Sequence, residues 1–386
     1  MIMFKRIIFA FAIFVSLCSL SVLCVSGVEN TSNEVLPQEY YEALDELPTD
    51  IADKLPSGIY SESADEVSEA LFDMLSTEHF IEMLSDLAIP KIKESISLLG
   101  KLCGVLLISA IFGALKNMLS SGAIASAFGF CSTCTLFAVI ASSFGVQIAA
   151  VSDFFERLCS LMTSFVPISC AVWAMGGNVG SAASAGGTLY AFLGVSEVLC
   201  SRAIAPVCTL CLLFAICKGV APNLRLSGFS SAIKKCYTFG LGFIMTLLLA
   251  ILSSQSLLTA ARDSIGARSA KMVTSTIIPI VGGSVSETLR TVGASVQYIK
   301  SVVGVSAIVF IIILLLPTLI SLIVTRLVYL LAGSIAELLG CEAEGRLIAE
   351  LGSICGLMIA SASICSVMFI MGFNIFIRSS VAVGGI

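Results

Sequence analysis

From Leu98 onward the chain is a succession of apolar runs, each near the roughly 20 residues that carry an α-helix across a bilayer. Such runs leave few structural choices. In hydrocarbon every backbone amide and carbonyl must be paired within the protein, and a helix does this inside one segment. The runs are 98–116, 124–151, 158–176, 187–201 merging into 203–219, 237–258, 303–325 and 348–376. Short breaks separate them at Lys116-Asn117, Asp153 to Arg157, Gly176 to Gly187 and Lys218 to Lys235. The pattern predicts an all-α fold, a polytopic transmembrane helical bundle of about six to eight spans. The stretch 326–347, with Arg326, Glu337, Glu342, Glu344 and Arg346, predicts an amphipathic helix lying in the membrane interface. Composition agrees, because only 12% of residues are charged and mean hydropathy is +1.03. A soluble domain carries about 25% charge.

The chain divides into three parts. Residues 1–27 read as a signal peptide: Lys5 and Arg6 are followed by the apolar stretch Ile7 to Val25 and the small residues Ser26 and Gly27. The apolar stretch is also long enough to stay as an anchor. Residues 28–97 form an acidic extracytoplasmic segment, and roughly two-thirds of all Asp and Glu precede residue 98. Up to Tyr60 it reads as a flexible linker. Ser63-Ala64-Asp65-Glu66 fits a capping box that opens a helix with Val67, Ala70, Leu71, Met74 and Leu75 at helical spacing. A second helix is expected from Pro90, where a missing amide costs nothing. Residues 98–386 are the membrane body. Its orientation is ambiguous, since basic segments at Lys218–Lys235 and Arg262–Lys271 flank a single run.

Little in the chain points to catalysis. The single histidine, His79, lies in the acidic segment with no marked nucleophile near it. No P-loop, Gly-x-Ser-x-Gly or His-Glu-x-x-His motif is present. Cys131-x-x-Cys134 and Cys208-x-x-Cys211 have ligand-like spacing, but they sit in apolar runs, where thiols pack as small hydrophobes. No clustered cations suggest nucleic acid. No cofactor is implied.

Two places stand out as candidate pathway or partner positions. Glu197 and Arg202 interrupt an apolar run; they read either as interfacial residues of a loop between two short helices or as polar positions of a pathway. Residues 265–300 carry Arg268, Lys271, Pro279, Gly282, Gly283, Glu287 and Arg290. Pro279 removes a helix hydrogen bond and the glycine pair permits a sharp turn. This segment reads either as a broken or re-entrant helix or as an extracytoplasmic or interfacial amphipathic hairpin. Small-xxx-small spacings at Gly100/Gly104, Gly176/Gly180 and Gly352/Gly356 suit close helix packing.

The same segment carries a resemblance. Ala267-Arg268-Ser269-Ala270-Lys271, then Ile278-Pro279-Ile280-Val281-Gly282-Gly283, Ser286-Glu287-Thr288, and Ile299-Lys300-Ser301-Val302-Val303-Gly304 before the run containing Pro317 resemble the stage III sporulation protein AE family of endospore-forming bacteria. The resemblance is specific over about 265–320, and Gly283 stands where the family often has a basic residue. It implies a multi-pass, permease-like, non-enzymatic component of a channel or secretion-like assembly. That assembly would join mother cell and forespore from the mother-cell membrane, with other stage III sporulation membrane proteins as partners. A homo-oligomer is compatible with it, and it implies no catalytic residues. The alternatives are a stand-alone secondary transporter, which would need repeats and a midplane ion site, and a redox protein using the cysteines.

Overall fold

A computed structural model describes residues 35–45, 55–74, 76–116, 122–175, 179–220, 227–277 and 282–378. The expected signal peptide lies outside them. The elements are α1 (Gln38–Asp45), a 3₁₀ turn (Ser57–Tyr60), α2 (Ala64–Met74), α3 (Thr77–Lys116), α4 (Gly122–Met175), α5 (Val179–Ser196), a π-helical turn (Glu197–Arg202), α6 (Ala203–Val220), α7 (Ser227–Ile277), α8 (Gly282–Leu338) and α9 (Glu342–Arg378). Among the described residues six helical stretches are long and apolar enough to cross a membrane: Ser85–Ala114, Cys134–Met175, Gly186–Cys217, Gly228–Ile251, Gly293–Leu338 and Glu342–Ile375. The expected all-α polytopic bundle is therefore the observed one.

The centre is the antiparallel α8–α9 hairpin. On α8 every residue from Tyr298 through Leu316 is buried, so this part of the helix is covered all the way round. α8 ends in a Schellman turn. Gly340 has φ +74°, the Cys341 amide donates to the Ala336 carbonyl and the Gly340 amide to that of Glu337. α9 then opens with Glu342 and Glu344 in its first turn, where acids suit the helix dipole. The expected interfacial helix at 326–347 is thus replaced by two helix ends and a tight turn. Its charges are those of termini and of buried contacts between helices. Gly352 and Gly356 do face the partner helix, against Tyr329 and Arg326, whereas nothing packs close to Gly100 or Gly104.

Other boundaries differ from expectation for a common reason: one charged turn does not stop a helix whose neighbours continue. Asp153 and Arg157, read as a break, are four apart on α4 and pair at 2.8 Å, so the two expected runs fuse into one helix. Pro90 lies inside α3 rather than at its start. α7, 51 residues long, carries both Lys234 and the Arg262–Lys271 segment. At 1.5 Å per residue Lys234 and Lys271 are about 55 Å apart along it, so basic residues flank its apolar run on both sides.

The stretch before Tyr60, expected to be a flexible linker, is packed where it is described. Leu36, Tyr40, Leu44 and Ile59 are buried with Val67 and Leu71 of α2. The Tyr40 hydroxyl pairs with Ser306 Oγ at 3.2 Å, and Tyr298 donates to Asp65 at 2.7 Å, fastening the segment to α8. The Ser63 carbonyl accepts from the Val67 amide, but Glu66 is bonded to Ser61 rather than reaching back to Ser63. Burial raises the Tyr40 phenol above its ordinary pKa.

Tyr40 therefore tests whether the acidic segment is part of the core. Tyr40→Phe is expected to cost about 1 kcal/mol through the lost hydrogen bond, and Tyr40→Ala about 3–5 kcal/mol through the lost ring. Because the folded pKa is the higher one, this contribution is intact below about pH 10, the unfolded phenol's value, and declines above it. Thermal unfolding in detergent at pH 7 and above pH 10 reads both effects.

Candidate functional site

Charged and amide side chains buried between the helices are the features that an apolar body does not need for burial alone. Lys300 of α8 is fully buried near the N-terminal segment; the others gather on and around the first half of α9. Lys234 Nζ on α7 donates to Glu350 Oε2 at 2.7 Å and to Ser353 Oγ at 2.8 Å; the two charged side chains are 12% and 17% exposed. Glu350 and Ser353 are three apart and share a helix face, which lets one ammonium bridge both. One and a half turns nearer the hairpin turn, Ser109 Oγ on α3 donates to Glu344 Oε1 at 2.6 Å in a buried contact. On α8 the Arg326 guanidinium lies over Gly356, where a Cβ would sit 3.2 Å from Cζ. Its neighbour Thr325 accepts from Gln147 Nε2 of α4 at 2.9 Å, and Gln147 Oε1 is buried without a partner.

These groups tie α3, α4, α7, α8 and α9 together. They comprise two carboxylates and two cations, so the set is formally neutral. Neutrality and hydrogen bonding are what allow ionised groups to be held away from water. Chemically the arrangement can fix helix registers, and it can pass or bind a cation or proton where one pair exchanges partners.

The sequence candidates lie elsewhere. Glu197 and Arg202 form an ion pair at 2.8 Å with side chains 45% and 72% exposed. Five residues apart, they would diverge on an α-helix; the π-helical turn, with its wider i to i+5 repeat, aligns them. The loop expected between two short helices is therefore a π turn in a continuous helical run, and the pair points away from the buried set. Arg268 and Lys271 are on the far part of α7, and Gly282, Gly283, Glu287 and Arg290 on the first turns of α8. The side chains of 255–292 lie outside the described residues, as does Pro279. The structure thus brings Glu197 and Arg202 together and leaves the 265–300 reading untested.

Sequence reasoning passed over Lys234, Glu350, Glu344, Arg326, Gln147 and Ser109 as a set. Glu350 inside the run 348–376 was a usable signal, being a lone carboxylate in an apolar helix. Its partners are 116 and more residues away in the chain, which hides the pairing. Cys208 and Cys211 are buried within α6 and Cys131 and Cys134 are exposed on α4. Cys200 and Cys365 lie with their sulfurs 3.4 Å apart. Among the described residues no three His, Cys, Asp or Glu converge as a metal site. An apolar cleft between α4, α5 and α9 is lined by Phe165, Trp173, Phe192, Phe369 and Phe373 and carries no charged group.

Breaking the Lys234–Glu350 pair from one side strands a charge. Lys234→Met or Glu350→Met alone is expected to lower stability by about 3–5 kcal/mol, while the double change Lys234→Met/Glu350→Met recovers most of it. Thermal denaturation of the four proteins in one detergent measures this coupling.

Known proteins share this sequence pattern. A family model described as Stage III sporulation protein AE matches residues 64–380. Stage III sporulation protein AE of Bacillus subtilis (strain 168) is 23% identical over 287 residues, covering 72% of this chain and 71% of the relative. No solved structure matches.

Proposed function

Because the chain belongs to the stage III sporulation protein AE family, and its helices are those of a multi-pass membrane protein, we propose that it acts in sporulation as a non-enzymatic component of a channel or secretion-like complex linking mother cell and forespore. It would sit in the mother-cell membrane around the forespore with other stage III sporulation membrane proteins as partners, and forespore development would depend on it. The observation that carries this reading is the family match over residues 64–380. The charged groups around α9 fit it, since they hold several helices in one register and are paired, as ionised groups between spans must be. The packed acidic segment supports a role in assembly, because it presents the exposed Glu62, Glu66 and Glu69 on a fixed surface rather than on a loose tether.

The same buried set also suits a stand-alone secondary transporter, since an intramembrane lysine–glutamate pair has the chemistry of an ion site. The two readings differ in what loss of the protein does. A complex component leaves its partners unassembled; a stand-alone transporter does not.

Deletion of the gene in its spore-forming host is expected to abolish heat-resistant spores and shrink the forespores, and normal spores would refute the reading. Complementation with Lys234→Met/Glu350→Met separates scaffold from conduit. Normal sporulation by this charge-free variant at normal protein level would make the pair packing only; failure at normal level and normal partner assembly would make it part of the pathway. Co-purification of the partner membrane proteins, present for the intact chain and lost on deletion of residues 35–74, distinguishes a complex from a lone transporter.

A further inference from the structure

The apolar cleft between α4, α5 and α9 has walls that suit one chemistry. Met162, Phe165 and Trp173 of α4, Leu189 and Leu193 of α5, and Phe369 of α9 line it. Edge-to-face rings join the walls: Phe165 meets Phe373 and Phe192 meets Phe369, with centroids 5.7 and 5.2 Å apart. Ser169, also in the lining, already donates to the Phe165 carbonyl at 2.8 Å. Apart from the Trp173 indole, the lining side chains have no hydrogen-bonding group left for a guest. A sugar, a nucleotide or an extended peptide would leave its polar groups unpaired there. A hydrocarbon chain would not.

Charge lies at one end of this cleft. On α5, Leu189, Leu193 and Glu197 follow at i, i+4 spacing, so Glu197 continues the lining stripe one turn on. Cys159, about one turn before Met162 on α4, lies within electrostatic reach of Glu197. Cys365, one turn before Phe369 on α9, has its sulfur 3.4 Å from that of Cys200 in the π turn. All three walls therefore end at the π turn, where Glu197 and Arg202 pair at 2.8 Å with side chains 45% and 72% exposed. Away from that end the walls are uncharged. α4 has no charged residue from Leu158 to Met175, α5 none from Val179 to Ser196, and α9 none from Leu351 to Ile377. From Met162 to Trp173 the lining is about 16 Å long by helix rise. That is close to half of a hydrocarbon core of about 30 Å, the acyl layer of one leaflet.

We infer that the cleft binds a single zwitterionic phospholipid, with an acyl chain along the aromatic walls and the headgroup on Glu197 and Arg202. The ion pair is itself a zwitterion, and such a headgroup is its complement. The phosphate accepts from the Arg202 guanidinium, and the headgroup ammonium pairs with Glu197. An exposed ion pair is weakly held, so its two members exchange partners at little cost. A headgroup with a phosphate and no ammonium would leave Glu197 beside an uncompensated negative charge. The acyl chain fills the seam that protein side chains leave open and braces α5 and the π turn against α4 and α9.

The test uses the full chain, stripped of lipid in detergent. Trp173 is the single tryptophan and is 5% exposed, so its emission reports on the cleft. Phosphatidylcholine brominated on its acyl chains, added at limiting concentration, is expected to remove most of that emission. Gly372→Leu fills the cleft and is expected to keep it, with Ser169→Leu as the second filling variant should the first not fold. Unbrominated phosphatidylethanolamine is expected to restore the wild-type emission by competition at lower concentration than phosphatidylglycerol does. Glu197→Gln/Arg202→Gln is expected to lose this headgroup preference and to remain quenched by the brominated chains. A wild-type chain that is not quenched, or filling variants quenched as strongly as wild type, overturns the cleft as a lipid site. Equal competition by the two lipids against the wild-type chain overturns the headgroup assignment.

Discussion

The structure depends on keeping α8 covered. Its apolar length exceeds what a bilayer can solvate, so lipid alone cannot be its environment. Protein has to supply the rest. α9 lies along it as a hairpin partner, α3 and α4 flank it, and α1 and α2 close the part around Tyr298 and Ser306. The acidic segment is therefore a structural part of the bundle, although its composition is that of a tether. Without Tyr40, Leu44 and Leu71 packed there, the portion of α8 around Ser306 would present apolar surface with nothing to meet it.

Charge follows from the same geometry. Where helices surround one another, an ionised side chain has no water to turn to, and each buried carboxylate is matched by a donor from a different helix. Lys234 with Glu350, Ser109 with Glu344 and Gln147 with Thr325 are all contacts between elements far apart in the chain. Where helices face outward, the pairs are local instead: Asp153–Arg157 is four residues apart and Glu197–Arg202 five. Local pairs need only one helix. Distant pairs specify which helices are neighbours, which is why they sit around the hairpin and hold five helices in register.

The architecture was legible in the chain because its cause is local. A run of apolar residues reports its own need for a helix, and the glycines at 352 and 356 report a close approach. Boundaries were less legible. Asp153–Arg157 and Pro90 look like interruptions in a one-dimensional reading, yet α4 and α3 pass through them, since a satisfied ion pair and a tolerated proline cost less than ending a helix flanked by others. Charges at 326–347 suggested an interface, whereas Arg326 and Glu344 are inward-facing and only Glu342 and Arg346 pair on the outside. The polar set around α9 was invisible, although Glu350 itself was conspicuous. A lone carboxylate announces that a partner exists and says nothing of where it is.

What the amino-acid order determined by itself is the solvent: lipid for most of the chain, and helices as the only way to satisfy its backbone there. What only the tertiary structure decided is which residues share an environment. Helical periodicity specifies a face but not its neighbour, so the pairing of Lys234 with Glu350, the seating of Tyr40 on Ser306 and the contact of Cys200 with Cys365 arise only when separate helices are packed side by side.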